Sequence, residues 1–138
     1  MGLNAGGECG EEIGALPRDL VMLDWWYEAE CDYERVRRFA EHGLAFVVCP
    51  GTSTWNSLFP RIANAQANVA CWAEAGRRHG AQGLLVTEWG DFGHPNPLAN
   101  AWLGIAQAAQ QAWSGDCDAA GFDRAFARCL FGDDSGAS

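Results

Sequence analysis

"LLVTEWGDFGHPNPLANAW", residues 84–102, is the stretch on which the reading turns. Leu84, Leu85 and Val86 make an apolar run that stops at Thr87. Glu88, Trp89 and Asp91 follow at once, then His94 between turn residues. A short apolar run bounded by turn signals reads as a buried strand. The carboxylates and the tryptophan then sit at its C-terminal end. Asn96-Pro97 opens a helix after them, with proline at the first helical position.

Two further runs have the same character. Leu20-Val21-Met22-Leu23 and Leu44 to Cys49 join Gly83 to Thr87 as candidate strands. Each is nearly continuous rather than alternating, which predicts parallel strands covered on both faces. Helical patterns separate them. Asp32 caps a helix that carries Tyr33, Val36, Phe39 and Ala40 on one face and ends at His42-Gly43. A second runs from about Arg61 to His79, with Ile62, Ala65, Val69, Trp72, Ala73 and Gly76 inward, and ends at His79-Gly80. In a third, Leu98, Ala101, Trp102, Ile105, Ala109 and Ala112 repeat at helical spacing. A short fourth runs from about Phe122 to Leu130, before the polar tail "GDDSGAS". Alternating βα units predict a parallel sheet with right-handed crossovers. Either a small open sheet or part of a (β/α)8 barrel fits, since a complete barrel needs ~250 residues and the chain has 138.

Composition bounds the chemistry. The chain is 49% hydrophobic with a formal charge of −9, a globular composition with an acidic balance. That balance excludes nucleic acid and anionic membrane as expected partners, because both need basic patches. No run is long enough to span a bilayer and the N-terminus lacks signal-peptide character. Cys9, Cys31, Cys49, Cys71, Cys117 and Cys129 form no CxxC pair, so zinc is not expected. Reduced, mostly buried thiols in a cytoplasmic protein are the expectation. No phosphate loop or dinucleotide fingerprint is present, and no cofactor or metal is expected.

In either architecture ligands bind beyond the C-terminal strand ends. The first strand runs into Asp24-Trp25-Trp26-Tyr27-Glu28, the second into "CPGTSTWN" with Trp55 and Asn56, the third into Glu88-Trp89-Gly90-Asp91. A pyranose packs its C–H face on an indole and offers hydroxyls to carboxylates and amides, so this combination suits a sugar. Core packing explains any one tryptophan equally well. Helix capping or a solvated loop explains Glu88 and Asp91 singly. A backbone-bonded loop residue is a simpler reading of His94 than a metal ligand. Cys49 as a nucleophile lacks an evident base.

"LPRDLVMLDWWYEAE", "FVVCPGTSTWNSL" and "GLLVTEWGDFGHPNPL" resemble the last three strand-and-loop segments of the catalytic barrel of glycoside hydrolase family 20, the β-N-acetylhexosaminidases. The likeness covers roughly residues 11–115. It implies three βα units of an incomplete (β/α)8 barrel, residues 1–10 being an uncertain stub, followed by a C-terminal helix and polar tail over 116–138. It implies hydrolysis of a terminal N-acetylhexosamine assisted by the substrate's own acetamido group, with an aspartate orienting that group beside a glutamate acid/base. Trp25 or Trp26, with Tyr27 and Glu28, would line the sugar pocket from one strand end. Trp55 and Asn56 would do so from the next, and Glu88, Trp89, Asp91 and His94 from the last.

The family's Asp-Glu dipeptide does not occur in the chain. Glu8 and Cys9 are at most a degraded remnant of it, so no catalytic residue is assigned and the isolated chain is expected to be inactive. The resemblance implies dependence on a missing N-terminal part of the barrel or on self-association. A non-catalytic saccharide- or partner-binding remnant and a small independent α/β domain are the alternatives.

Overall fold

The middle strand organises the chain. In the computed structural model, which describes residues 13–30, 33–115 and 118–135, β2 (Ala45–Cys49) lies between β1 (Val21–Trp25) and β3 (Gly83–Leu84). All pairing is parallel, with Val21 opposite Ala45, Trp25 opposite Cys49 and Val47 opposite Gly83. The fold is mixed α/β, as the alternating pattern predicts. The regular part of β3 is shorter than the Gly83–Thr87 run, yet the pairing continues beyond it. Leu85 and Thr87 donate to the carbonyls of Val48 and Pro50, each at 2.9 Å, and Thr52 donates to the carbonyl of Thr87 at 3.1 Å. Two loops are thereby stitched together past the strand ends.

Neighbouring parallel strands in chain order, joined by crossovers of one hand, carry their helices on one side. The core lies there. Val36, Phe46, Val48 and Trp72 are buried, with Tyr33 stacked on Trp72 at 4.0 Å between ring centroids. Met22, Phe39 and Leu84 pack against them. Burying each such side chain contributes about 1.5–3 kcal/mol. The opposite face departs from expectation. Val21 is 51% and Leu23 55% exposed, and nothing among the described residues covers them. Continuous apolarity therefore marks strands built for two covered faces, of which one is covered here.

The first crossover is a 3-10 turn, Glu34–Val36, leading into α1 (Arg37–Glu41). It closes at Gly43 with a φ of +66°, the left-handed value that glycine supplies. Asp32, the expected cap, lies outside the described residues. The second crossover, α2 (Ile62–His79), ends on Gly80 at φ +77°, with Arg77, Arg78 and His79 in the last turn. Ala65, Val69, Trp72, Ala73 and Gly76 are buried as expected, but Ile62, in the first turn, is exposed.

The third helix differs most. Pro97 caps a 3-10 turn, Leu98–Ala101, instead of opening the α-helix, and α3 follows over Trp102–Ser114. Its buried face is Gly104, Gln107, Ala108 and Gln111. Of the residues that repeat at helical spacing, Ala101 is buried, while Leu98, Trp102, Ile105, Ala109 and Ala112 are exposed. Small residues win because α3 packs closely: a Cβ on Gly104 would stand 3.3 Å from Cα of Thr52. The larger residues face outward, where Trp102 and Ile105 border a groove shared with Phe122 and Phe126 of α4 (Ala119–Phe131). Helix α4 is longer than its apolar pattern indicates, because Asp118 caps it by accepting from the amide of Gly121 at 3.0 Å.

Among the described cysteines Cys49 is buried, Cys71 half-buried and Cys129 exposed on α4, and Cys9, Cys31 and Cys117 lie outside the described residues. No helix among the described residues is long and apolar enough to cross a membrane.

Candidate functional site

The three strands deliver their C-terminal ends to one rim. Past β1 the chain presents Trp25 and Tyr27, stacked with centroids 5.4 Å apart. Trp55, from the loop after β2, meets Tyr27 edge-on at 4.9 Å. Trp89, from the loop after β3, stands 6.3 Å from Tyr27. Tyr27 is thus the hub of an aromatic cluster fed by three strand ends. Trp55 is its buried floor, 4% exposed, while Trp25 and Trp89 present surface to solvent. The close approach depends on Gly51: a Cβ there would lie 2.7 Å from ring atoms of both Trp55 and Tyr27.

Trp26, adjacent to this cluster in sequence, belongs elsewhere. Strand alternation turns it to the helical side. Its carbonyl accepts from the Trp72 indole at 2.9 Å, its own indole donates to Glu30, and the Arg35 guanidinium lies 5.5 Å from its ring. Glu28 is also diverted. It forms a two-pronged pair with Arg61 at 2.8 and 2.6 Å, and the Arg61 hydrogen bonds hold its carboxyl below the usual range. Asn56 is exposed on the loop after β2.

Beside the cluster sits a hydrogen-bonded network. Glu88 accepts from Thr52, from Thr54 at 2.7 and 2.8 Å, and from His94 Nε2 at 2.6 Å. His94 Nδ1 faces the carbonyl of Asn96 at 2.8 Å. Both ring nitrogens therefore face oxygens that only accept, which favours the imidazolium. The bond to Glu88 raises the His94 pKa above 6.5, and the Asn96 carbonyl adds to the effect. Asn96 in turn donates to the carbonyls of Thr54, at 2.9 Å, and Ser57. Glu88 is neither a helix cap nor a solvated side chain.

The backbone at these loops is strained. Ser53, Phe92 and His94 have φ values of +57°, +54° and +50°. Left-handed non-glycine residues cost of order 1–3 kcal/mol each and persist where surrounding contacts over-determine them. Asp91, in the Asp91–Gly93 turn between these strained positions, is exposed. Burial chiefly raises the Tyr27 phenol pKa, and the charges of Cys49 and Asp91 add to it.

Nucleophilic chemistry finds no support in this arrangement. Burial pushes the Cys49 thiol up to about 11, against what a thiolate nucleophile requires. Thr52 and Thr54 donate to a carboxylate, and His94 is committed to Glu88 and Asn96. Among the described residues no group of three His, Cys, Asp or Glu side chains could hold a metal. Glu8 and Cys9 lie outside the described residues.

Sequence reasoning overlooked the amides beneath the rim. Asn68 donates to Trp26 O at 2.9 Å and Tyr33 Oη at 2.8 Å, while accepting from the amide of Gly51 at 3.0 Å. Asn64 donates to Tyr27 O at 2.7 Å and Ser53 Oγ at 2.8 Å. The available signal was two asparagines one turn apart near the buried face of α2, positions where an apolar residue would otherwise stand. Comparisons of the chain with models of protein families, with curated proteins and with solved structures found no match.

Proposed function

We propose that the chain forms one wall of a saccharide pocket, as the last three βα units of a barrel like that of family 20 glycoside hydrolases. The observation that carries this reading is the convergence of Trp25, Tyr27, Trp55 and Trp89 from three successive strand ends. Exposed indole beside Asp91 offers an apolar surface for a sugar's C–H face and an acceptor for its hydroxyls. A one-sided sheet supports the barrel part of the proposal. A closed barrel carries its helices outside and fills its interior with apolar side chains, the role open to Val21 and Leu23. The ligand class is an N-acetylhexosamine-containing saccharide.

The wall binds but does not hydrolyse by itself. Glu88 already accepts from three partners, and the family's Asp-Glu dipeptide does not occur in the chain. Calorimetric titration with chitobiose and with cellobiose tests the reading. Heat of binding with chitobiose alone, and no turnover of an aryl β-N-acetylglucosaminide, is the expected result. Equal response to both sugars, or to neither, contradicts it. Turnover lost in D91N would instead make Asp91 a catalytic acid or base.

A further inference from the structure

The geometry points to Glu88 and His94 as positioning residues: a proton-dependent latch that holds the loop bearing Trp89 and Asp91 against the loop after β2. This rests on reading Trp25, Tyr27 and Trp89 as a saccharide wall, but gives the two residues a different task from contacting sugar. A carboxylate has about four acceptor sites. Thr52, Thr54 and His94 Nε2 all donate to Glu88, the one Thr54 proton lying between the two oxygens, so three of these sites are already engaged by protein donors.

The latch joins two loops that are otherwise strained. Ser53 lies in one, Phe92 and His94 in the other, and all three adopt left-handed backbone. Only the protonated imidazole can donate to Glu88 and to the Asn96 carbonyl together. Deprotonation leaves one ring nitrogen with its lone pair against an oxygen. Glu88 is the charged group facing the ring. The loop after β2 contributes the Thr54 hydroxyl, 3.5 Å from Nε2, and the segment leading to α3 contributes the backbone carbonyl of Asn96.

The sign follows from the raised pKa. A proton held more tightly by the folded chain stabilises it fully below pH 6.5, and that stabilisation is lost as pH rises through the folded value. The latch is closed on the acid side and opens on the alkaline side.

The test is an NMR pH titration of the full chain, following the His94 ring and the Trp89 indole, with Trp89→Phe to assign the latter. The expected result is one shared midpoint above 6.5, lowered in E88Q and absent from the indole in H94Q. Independent titration of the two groups, or a His94 midpoint at or below 6.5, overturns the latch without needing any variant to fold. N-acetylglucosamine binding is then measured on both sides of the midpoint. If deprotonation leaves about a tenth of the molecules latched, affinity falls about tenfold. Coupled titration with no sugar binding at either pH upholds the latch and removes the saccharide reading. Equal binding at both, with an indifferent Trp89, does the reverse.

Discussion

At the scale of single residues, the strand-end chemistry was legible and its division of labour was not. Trp25, Tyr27, Trp55 and Trp89 converge because strand ends converge, which order in the chain already implies. Trp25 and Trp26 are indistinguishable in sequence. The pleat separates them, sending Trp26 to Trp72 and Arg35. Glu28 and Glu88 look alike as rim carboxylates, yet one pairs with Arg61 and the other with hydroxyls and an imidazole. Arg61, Thr52 and Thr54 come from positions more than thirty residues away, which local pattern does not register. Gly51 gives the sharpest test at this scale. G51A introduces a methyl 2.7 Å from ring atoms of Tyr27 and Trp55. Overpacking of that kind costs about 1–3 kcal/mol. Urea denaturation should show a lower midpoint with the slope unchanged, and an unaltered midpoint would mean the cluster is loosely packed.

At the scale of elements, periodicity located helices better than it oriented them. The α2 pattern placed Trp72 inward because its apolar face is wide and unambiguous. For α3 the large apolar residues Trp102 and Ile105 mark the exposed face, while Gly104 and Ala108 are buried. Close packing selects small side chains, and at Gly104 that requirement is set by Thr52 in the loop after β2, not by the segment being read. Helix α4 depends on α3 and on its cap. Replacing Asp118 with alanine should cost about 1 kcal/mol. Hydrogen exchange should accelerate throughout Ala119–Phe131 while β2 keeps its protection. Equal acceleration in β2 would show that α4 unfolds only with the sheet.

At the scale of the whole molecule, the α/β alternation and parallel pairing followed from the three apolar runs and the glycine-ended helices between them. The bare sheet face did not, because an apolar run records what a strand is built to contact, not what is present. Val21 and Leu23 therefore predict a sticky surface. Leu23→Lys should leave thermal stability nearly unchanged while reducing self-association in sedimentation velocity. A loss of several degrees in Tm would mean that this face is packed in solution. The direct measurement of the central claim is an indole-resolved NMR titration with chitobiose, covering all seven tryptophans. A saccharide wall predicts that Trp25 and Trp89 shift with one shared dissociation constant, while Trp26, Trp72, Trp102 and Trp113 stay still. Shifts confined to those four, or none at all, would contradict it.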